Sequence, residues 1–88
     1  MRITTALVRL SRQPIGLKEA SALFQFADGP KTVSKLATLM GMHKETVKSR
    51  VMILRKKGLI QTNEITEGVA SYTLTLKGKN IITEVLIP

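Results

Sequence analysis

At Gly58 the hydrophobic period of the chain changes. Before it, apolar residues recur at helical spacing in two short blocks separated by Gly41. After it, they alternate as in a strand. Val33, Leu36, Ala37 and Met40 make one helical stripe, with Thr32 placed to cap it and Gly41 to end it. Val47, Val51 and Leu54 make the next, falling within about 60° of one another on a helical wheel. That second block predicts a helix over 44–57, with Arg55, Lys56 and Lys57 where cations suit the negative end of the helix dipole. Its opposite side carries Glu45, Ser49, Met52 and Lys56, flanked by Lys48, and is polar apart from Met52.

The flanks fill in the rest. Residues 1–12 place Ile3, Ala6, Leu7 and Leu10 at helical spacing, although Ile3-Thr4-Thr5 also suits a strand. Leu17, Ala20, Leu23, Phe24 and Ala27 predict a helix that stops at Asp28-Gly29-Pro30. Beyond Gly58, strands are expected over 59–62 and 69–75, joined through 63–68 as a hairpin. Thr75 can cap a last helix, 76–86, with Ile81, Ile82, Val85 and Leu86 on its apolar side. Phe24 and Tyr72 read as core.

Composition sets bounds on partners. The 88 residues carry 14 Lys and Arg against 6 Asp and Glu, a net charge of +8, which points to an acidic polymer. The distribution is uneven: Lys44, Lys48, Arg50, Arg55, Lys56 and Lys57 lie within fourteen positions whose one acid is Glu45. With no cysteine and one histidine, neither a disulfide framework nor a metal site is expected. The six acids are scattered without acid/base pairing, and no phosphate-cradling glycine loop is present, so neither an enzyme nor a cofactor is expected. No apolar run reaches the roughly 20 residues of a membrane span, and Arg9 and Arg12 interrupt any signal-peptide core. The expectation is one domain, 1–88, in the cytoplasm, with residues 1–12 and 76–88 as possible dimerisation helices.

Two helices joined by a tight glycine turn, the second one basic, followed by a hairpin and a helix, is the order of a winged helix-turn-helix. The fold class is therefore mainly α with a small β-hairpin wing, α+β. The competing interpretation is an ordinary helical bundle with a solvated basic face. The stretch PKTVSKLATLMGMHKETVKSRVMILRKKGLI, followed by YTLTLKGKNII, resembles the winged helix-turn-helix domains of MarR-type bacterial transcription regulators. The resemblance rests on Thr32-Val33-Ser34-Lys35-Leu36-Ala37, Gly41, Thr46-Val47, Leu54, Lys56-Lys57-Gly58-Leu59-Ile60 and Leu74-Thr75-Leu76-Lys77-Gly78, and covers about residues 16 to 82. The short form resembles compact phage, plasmid or archaeal members and leaves little space for a ligand pocket, so a small-molecule effector is not expected.

The resemblance implies a homodimer that binds double-stranded DNA and regulates transcription, nucleoid-associated when bound. Lys44, Glu45, Thr46, Lys48 and Ser49 would approach base edges and phosphates, and Thr32 and Ser34 the backbone. His43 occupies the N-cap, where a neutral imidazole can accept from a backbone N–H or, protonated, touch a phosphate. Met52, Arg55 and Lys56 complete the candidate DNA-facing set. Glu45 can accept from cytosine N4 or pair locally with Lys48 or Ser49; Lys48 can donate to guanine or to a phosphate. One departure stands out: Glu64 and Glu67 occupy the hairpin, and no cation lies between Gly58 and Lys77. Acids beside a polyanion are repelled, so the wing is expected to be structural, to face a protein, or to stay clear of the duplex. A winged-helix protein–protein module that does not read DNA is the alternative function.

Overall fold

The computed structural model describes residues 15–86. The helix expected over residues 1–12 lies outside that range. The chain order is α1 (Leu17–Phe24), β1 (Lys31–Thr32), α2 (Val33–Met40), α3 (Lys44–Lys56), β2 (Ile60–Thr66), β3 (Val69–Leu74) and α4 (Leu76–Leu86). The strands form one antiparallel sheet in the order β1-β3-β2. Helices α1 to α4 pack around Leu23, Phe26, Leu36, Val47, Val51, Leu54 and Val85, and Leu59, Ile60 and Leu74 seal the side nearest the sheet.

Helix α1 ends three residues earlier than the apolar spacing suggests. Gln25, Phe26 and Ala27 donate to the carbonyls of Ala22, Leu23 and Phe24 in i→i−3 bonds of 3.1–3.2 Å. This tighter winding changes the angle at which successive side chains leave the axis. Phe26 therefore enters the core, while Phe24 is half-buried against it and Ala27 is exposed.

Helices α2 and α3 stop by the same device. Gly41 and Gly58 adopt left-handed φ values of 63° and 74°. In each case the next residue's N–H reaches back five positions, Met42 to the Ala37 carbonyl and Leu59 to the Leu54 carbonyl, both at 3.0 Å. Such an ending satisfies carbonyls left open by the helix and turns the following apolar residue inward. At Gly41 it sets α3 across α2; at Gly58 it delivers Leu59 to the core and starts the wing.

The wing is longer than its apolar alternation implies. Strand β2 continues through Thr66, so the link is the two residues Glu67-Gly68 rather than all of 63–68. Both have positive φ, 52° and 78°, the type I′ geometry whose twist matches that of the flanking strands. A bulge at Asn63 absorbs the odd residue, which hides the strand from a strict two-residue count. Strand β1 was not expected at all. It pairs Lys31 with Tyr72 and Thr32 with Ser71, and two residues are too few to carry any period. Thr32 does double duty: its Oγ1 accepts from the Lys35 N–H at 3.1 Å, capping α2 as anticipated.

Thr75 ties the wing's exit to the end of α3. Its N–H donates to the Leu59 carbonyl at 3.0 Å and its hydroxyl to the Gly58 carbonyl at 2.6 Å. The same oxygen accepts from the Gly78 N–H at 3.2 Å, so it caps α4 as anticipated. Along α4, Ile81 and Val85 are buried in this chain's own core and Ile82 is half-buried, so Val85 offers little surface to a second subunit.

Candidate nucleic-acid interface

Helix α3 sorts its residues by angle. Val47, Val51 and Leu54 are buried, and Lys44, Glu45, Thr46, Lys48, Ser49, Met52, Arg55 and Lys56 are exposed. The glycine-ended turn after α2 fixes which way that exposed side faces. Ser34 is exposed and Thr32 half-buried at the start of α2. Ser34, Thr38, Gly41, Met42, His43 and Lys44 line one open hollow of about 510 Å³, so the start of α2 and the start of α3 share a concave surface.

His43 corrects one expectation. It sits at the N-cap, φ −64° and ψ 143°, but its side chain makes no cap hydrogen bond and is exposed. A seryl oxygen lies one bond from Cβ and folds back onto the helix; the first ring nitrogen lies a bond further out on a rigid plane. The first intrahelical bond runs from the Val47 N–H to the His43 carbonyl at 3.1 Å. The amides of Lys44, Glu45 and Thr46 thus precede the helix's own ladder, as at any helix start, where the positive end of the dipole favours anions.

The charged groups divide into held and free. Lys31 forms an ion pair with Asp28. The ammonium's hydrogen bond and charge hold the Asp28 carboxyl below the ordinary aspartate value. Lys44, Lys48 and Lys56 make no ion pair among the described residues. Glu45 does not pair with Lys48 there either. Its backbone carbonyl accepts the Ser49 hydroxyl at 3.1 Å, and the residue is exposed. Arg50, counted in the basic cluster of the sequence, is half-buried and donates to the Met42 sulfur at 3.2 Å.

Alternation along the wing places its acids. Ile60, Thr62, Tyr72 and Leu74 share the side that packs toward the helices, and beyond the bulge Ile65 and Ala70 continue that side. Glu64, opposite Ser71, is on the other side, where its Oε1 accepts from the Thr66 hydroxyl at 3.1 Å. Glu67 is at the tip. The side toward α3 is therefore free of acids, and there the Arg55 guanidinium lies over the Tyr72 ring, 5.6 Å from its centroid. The sequence alone reads Tyr72 as core. It is partly buried at the core's edge, and no local pattern signals a partner seventeen residues away on another element.

Among the described residues no three His, Cys, Asp or Glu side chains gather to hold a metal ion, and no helix is long and apolar enough to cross a membrane.

A tight helix–turn–helix, an outward second helix and a hairpin pinned to that helix's end define a winged helix-turn-helix, a fold shared with MarR family structures. The chain belongs to the family described as "Methanogenesis regulatory protein FilR1, N-terminal domain", whose model matches residues 9–87. Among solved structures, a MarR family protein from Bacillus stearothermophilus superposes with a TM-score of 0.82 at 27% identity, covering 94% of this chain and 59% of that one. The transcriptional regulator Tm0710 from Thermotoga maritima gives a TM-score of 0.85 at 23% identity, over 94% of this chain and 61% of that one. Staphylococcus aureus MarR, in complex with salicylate and kanamycin, gives 0.81 at 21% identity, over 94% and 57%. The chain thus spans about three-fifths of the length of these proteins. No curated protein matches it.

Proposed function

We propose that the chain binds double-stranded DNA in a sequence-dependent way and regulates transcription, with α3 in the major groove and two copies acting as a homodimer. The observation that carries this reading is the outer side of α3, where Lys44, Lys48 and Lys56 stand exposed without ion pairs among the described residues. Glu45 and Ser49 lie between them along the helix and are exposed as well. A groove about 12 Å wide admits one such helix. In this reading Lys48, Glu45 and Ser49 meet base edges, while Ser34, Thr32, His43, Lys44, Thr46, Arg55 and Lys56 meet phosphates. Met52 supplies apolar contact, for example to a thymine methyl. The single domain would act wherever the cell's DNA lies, in the cytoplasm or on the nucleoid, without a cofactor or small-molecule effector. Dimerisation would fall to residues 1–12 and 76–88, whose exposed apolar side chain at Leu76 is the described part of such a surface.

The test is a salt titration of binding to random and selected duplexes. Each phosphate contact contributes a log–log slope of about −0.9. Lys48→Ala should weaken binding by about 1 kcal/mol or more with unfolding unchanged. Selection from a random pool should return a palindrome with half-sites about one helical turn apart. Absence of binding at low ionic strength would end this reading. A protein–protein module would then be favoured by the wing tip, where Ile65 and Val69 are 68% and 54% exposed.

A further inference from the structure

Arg55 and Tyr72 meet where the recognition helix adjoins the wing, and the wing brings no cation of its own between Gly58 and Lys77. Arg55 is exposed and makes no ion pair among the described residues. A free arginine at a helix surface samples many rotamers and loses that freedom on binding. Here an aromatic face limits it: the guanidinium carbon is 5.6 Å from the ring centroid, within the range of a cation–π contact. The ring is itself fixed. Tyr72 lies in the central strand, opposite Lys31 on one side and Thr62 on the other, and packs against the core's edge. Lys31, the other cation beside it, is tied to Asp28.

Stacking and phosphate binding use different parts of a guanidinium. The ring takes its flat face, while its five N–H donors radiate in the plane and match phosphate oxygens edge-on. Arg55 can therefore hold both at once, which a lysine ammonium cannot do in a fixed geometry.

We propose that Tyr72 is a positioning residue that holds the Arg55 guanidinium at the junction of α3 and the wing, its donor edge turned to a backbone phosphate of the bound duplex. This rests on the DNA reading above and adds to it the source of cationic contact on the wing's side of the groove. Arg55 touches the nucleic acid; Tyr72 acts through Arg55.

The experiment is a double-mutant cycle on one duplex, with affinity measured across a salt series and thermal unfolding recorded for each variant. Arg55→Ala should weaken binding and lower the magnitude of the salt slope by about 0.9, one phosphate's worth. Tyr72→Phe keeps the ring and should bind as the parent does. Tyr72→Leu should bind about 2- to 5-fold more weakly, and Arg55→Lys, which keeps the charge but loses the fork, should resemble it. In the Arg55→Ala background, Tyr72→Leu should have no further effect on affinity. An equal loss from Tyr72→Leu with and without Arg55 would overturn the proposal, since the ring would then act through the fold alone. If Lys48→Ala weakens binding but neither Arg55→Ala nor Tyr72→Leu does, this inference fails while the DNA reading stands. If no duplex binds at all, the DNA reading itself fails. The chain has one tyrosine and no tryptophan, so its emission reports this ring. Arg55→Ala should alter that emission in the free protein, and Lys48→Ala should not; an unchanged spectrum in Arg55→Ala would show the contact absent.

Discussion

Helix α3 and the wing solve the problem of projecting a surface in opposite ways. Helix α3 is anchored by a buried stripe, Val47, Val51 and Leu54, and spends its other side on free charge. The wing has Ile60 and Leu74 buried at its root and everything from Gln61 to Val69 exposed. Its shape depends on a turn, a bulge and backbone pairing rather than on burial. The helix therefore has stability to lose from single core substitutions, whereas the wing should respond weakly and in either direction.

The largest effect should come from Leu54→Ala. Leu54 is fully buried and also supplies the carbonyl that receives Leu59. Truncating a buried leucine costs about 2–5 kcal/mol, a large part of the stability of a domain this small. Chemical denaturation should show the whole transition moving. If the helical signal shifted while the wing kept its midpoint, the two regions would be separate folding units, and the contrast would have to be redrawn.

Next should come Gly78→Ala, at the seam where the two regions meet. In an open helix this change is favourable by about 1 kcal/mol. Here an added Cβ would lie 2.2 Å from the Leu59 carbonyl oxygen, a backbone atom that also accepts the Thr75 N–H. Overpacking of this kind costs about 1–3 kcal/mol, occasionally more, and the obstacle cannot rotate away. A net loss of about 1 kcal/mol is expected in urea or thermal unfolding. A gain would mean that the wing's root yields easily and is not seated on α4.

These two regions also differ in how much of them could be read in advance. The buried stripe of α3, the cap at Thr32 and the stops at Gly41 and Gly58 are local: each depends on residues within a turn or two, and each appears in the structure. The wing's length was hidden because the bulge at Asn63 breaks the alternation, and β1 because two residues have no period. Phe26 was missed because i→i−3 bonding after Phe24 changes the phase. In the candidate site, exposure of Glu45, Lys48 and Ser49 followed from the wheel, whereas the Arg55–Tyr72 contact depends on where the sheet meets the helix. His43 shows the opposite case: the position was legible but the bond was not, because capping depends on side-chain reach.

A smaller effect, of reversed sign, is expected at the wing tip. Glu67 holds φ at 52°, a region a branched-chain-free but Cβ-bearing residue enters at some cost, and which asparagine tolerates better. Asn-Gly is the favoured type I′ pair. Glu67→Asn should stabilise the chain by about 0.5 kcal/mol and leave duplex binding equal or slightly tighter, since it removes one negative charge. Weaker duplex binding would mean that the acid takes part in recognition and that the tip is not merely a turn.

The smallest effect belongs to the strand that fastens the sheet to α2. The Lys31 side chain is 9% exposed, while Asp28, its partner, is 82% exposed. Because the Asp28 carboxyl is held below its ordinary value of 3.8, the folded state binds that proton more weakly than the unfolded state. The pair's contribution is thus complete above 3.8 and is lost as the pH falls through the lower, folded value. Solvent screening keeps such a contribution small. Asp28→Asn should therefore lower stability slightly near neutrality and converge with the parent in acid, measured by thermal unfolding from about pH 6 to about pH 2. A gap that persisted in acid would show that Asp28 acts through its backbone turn and not through its charge. The β1 attachment would then resemble the wing tip, governed by turn geometry, more than it resembles α3.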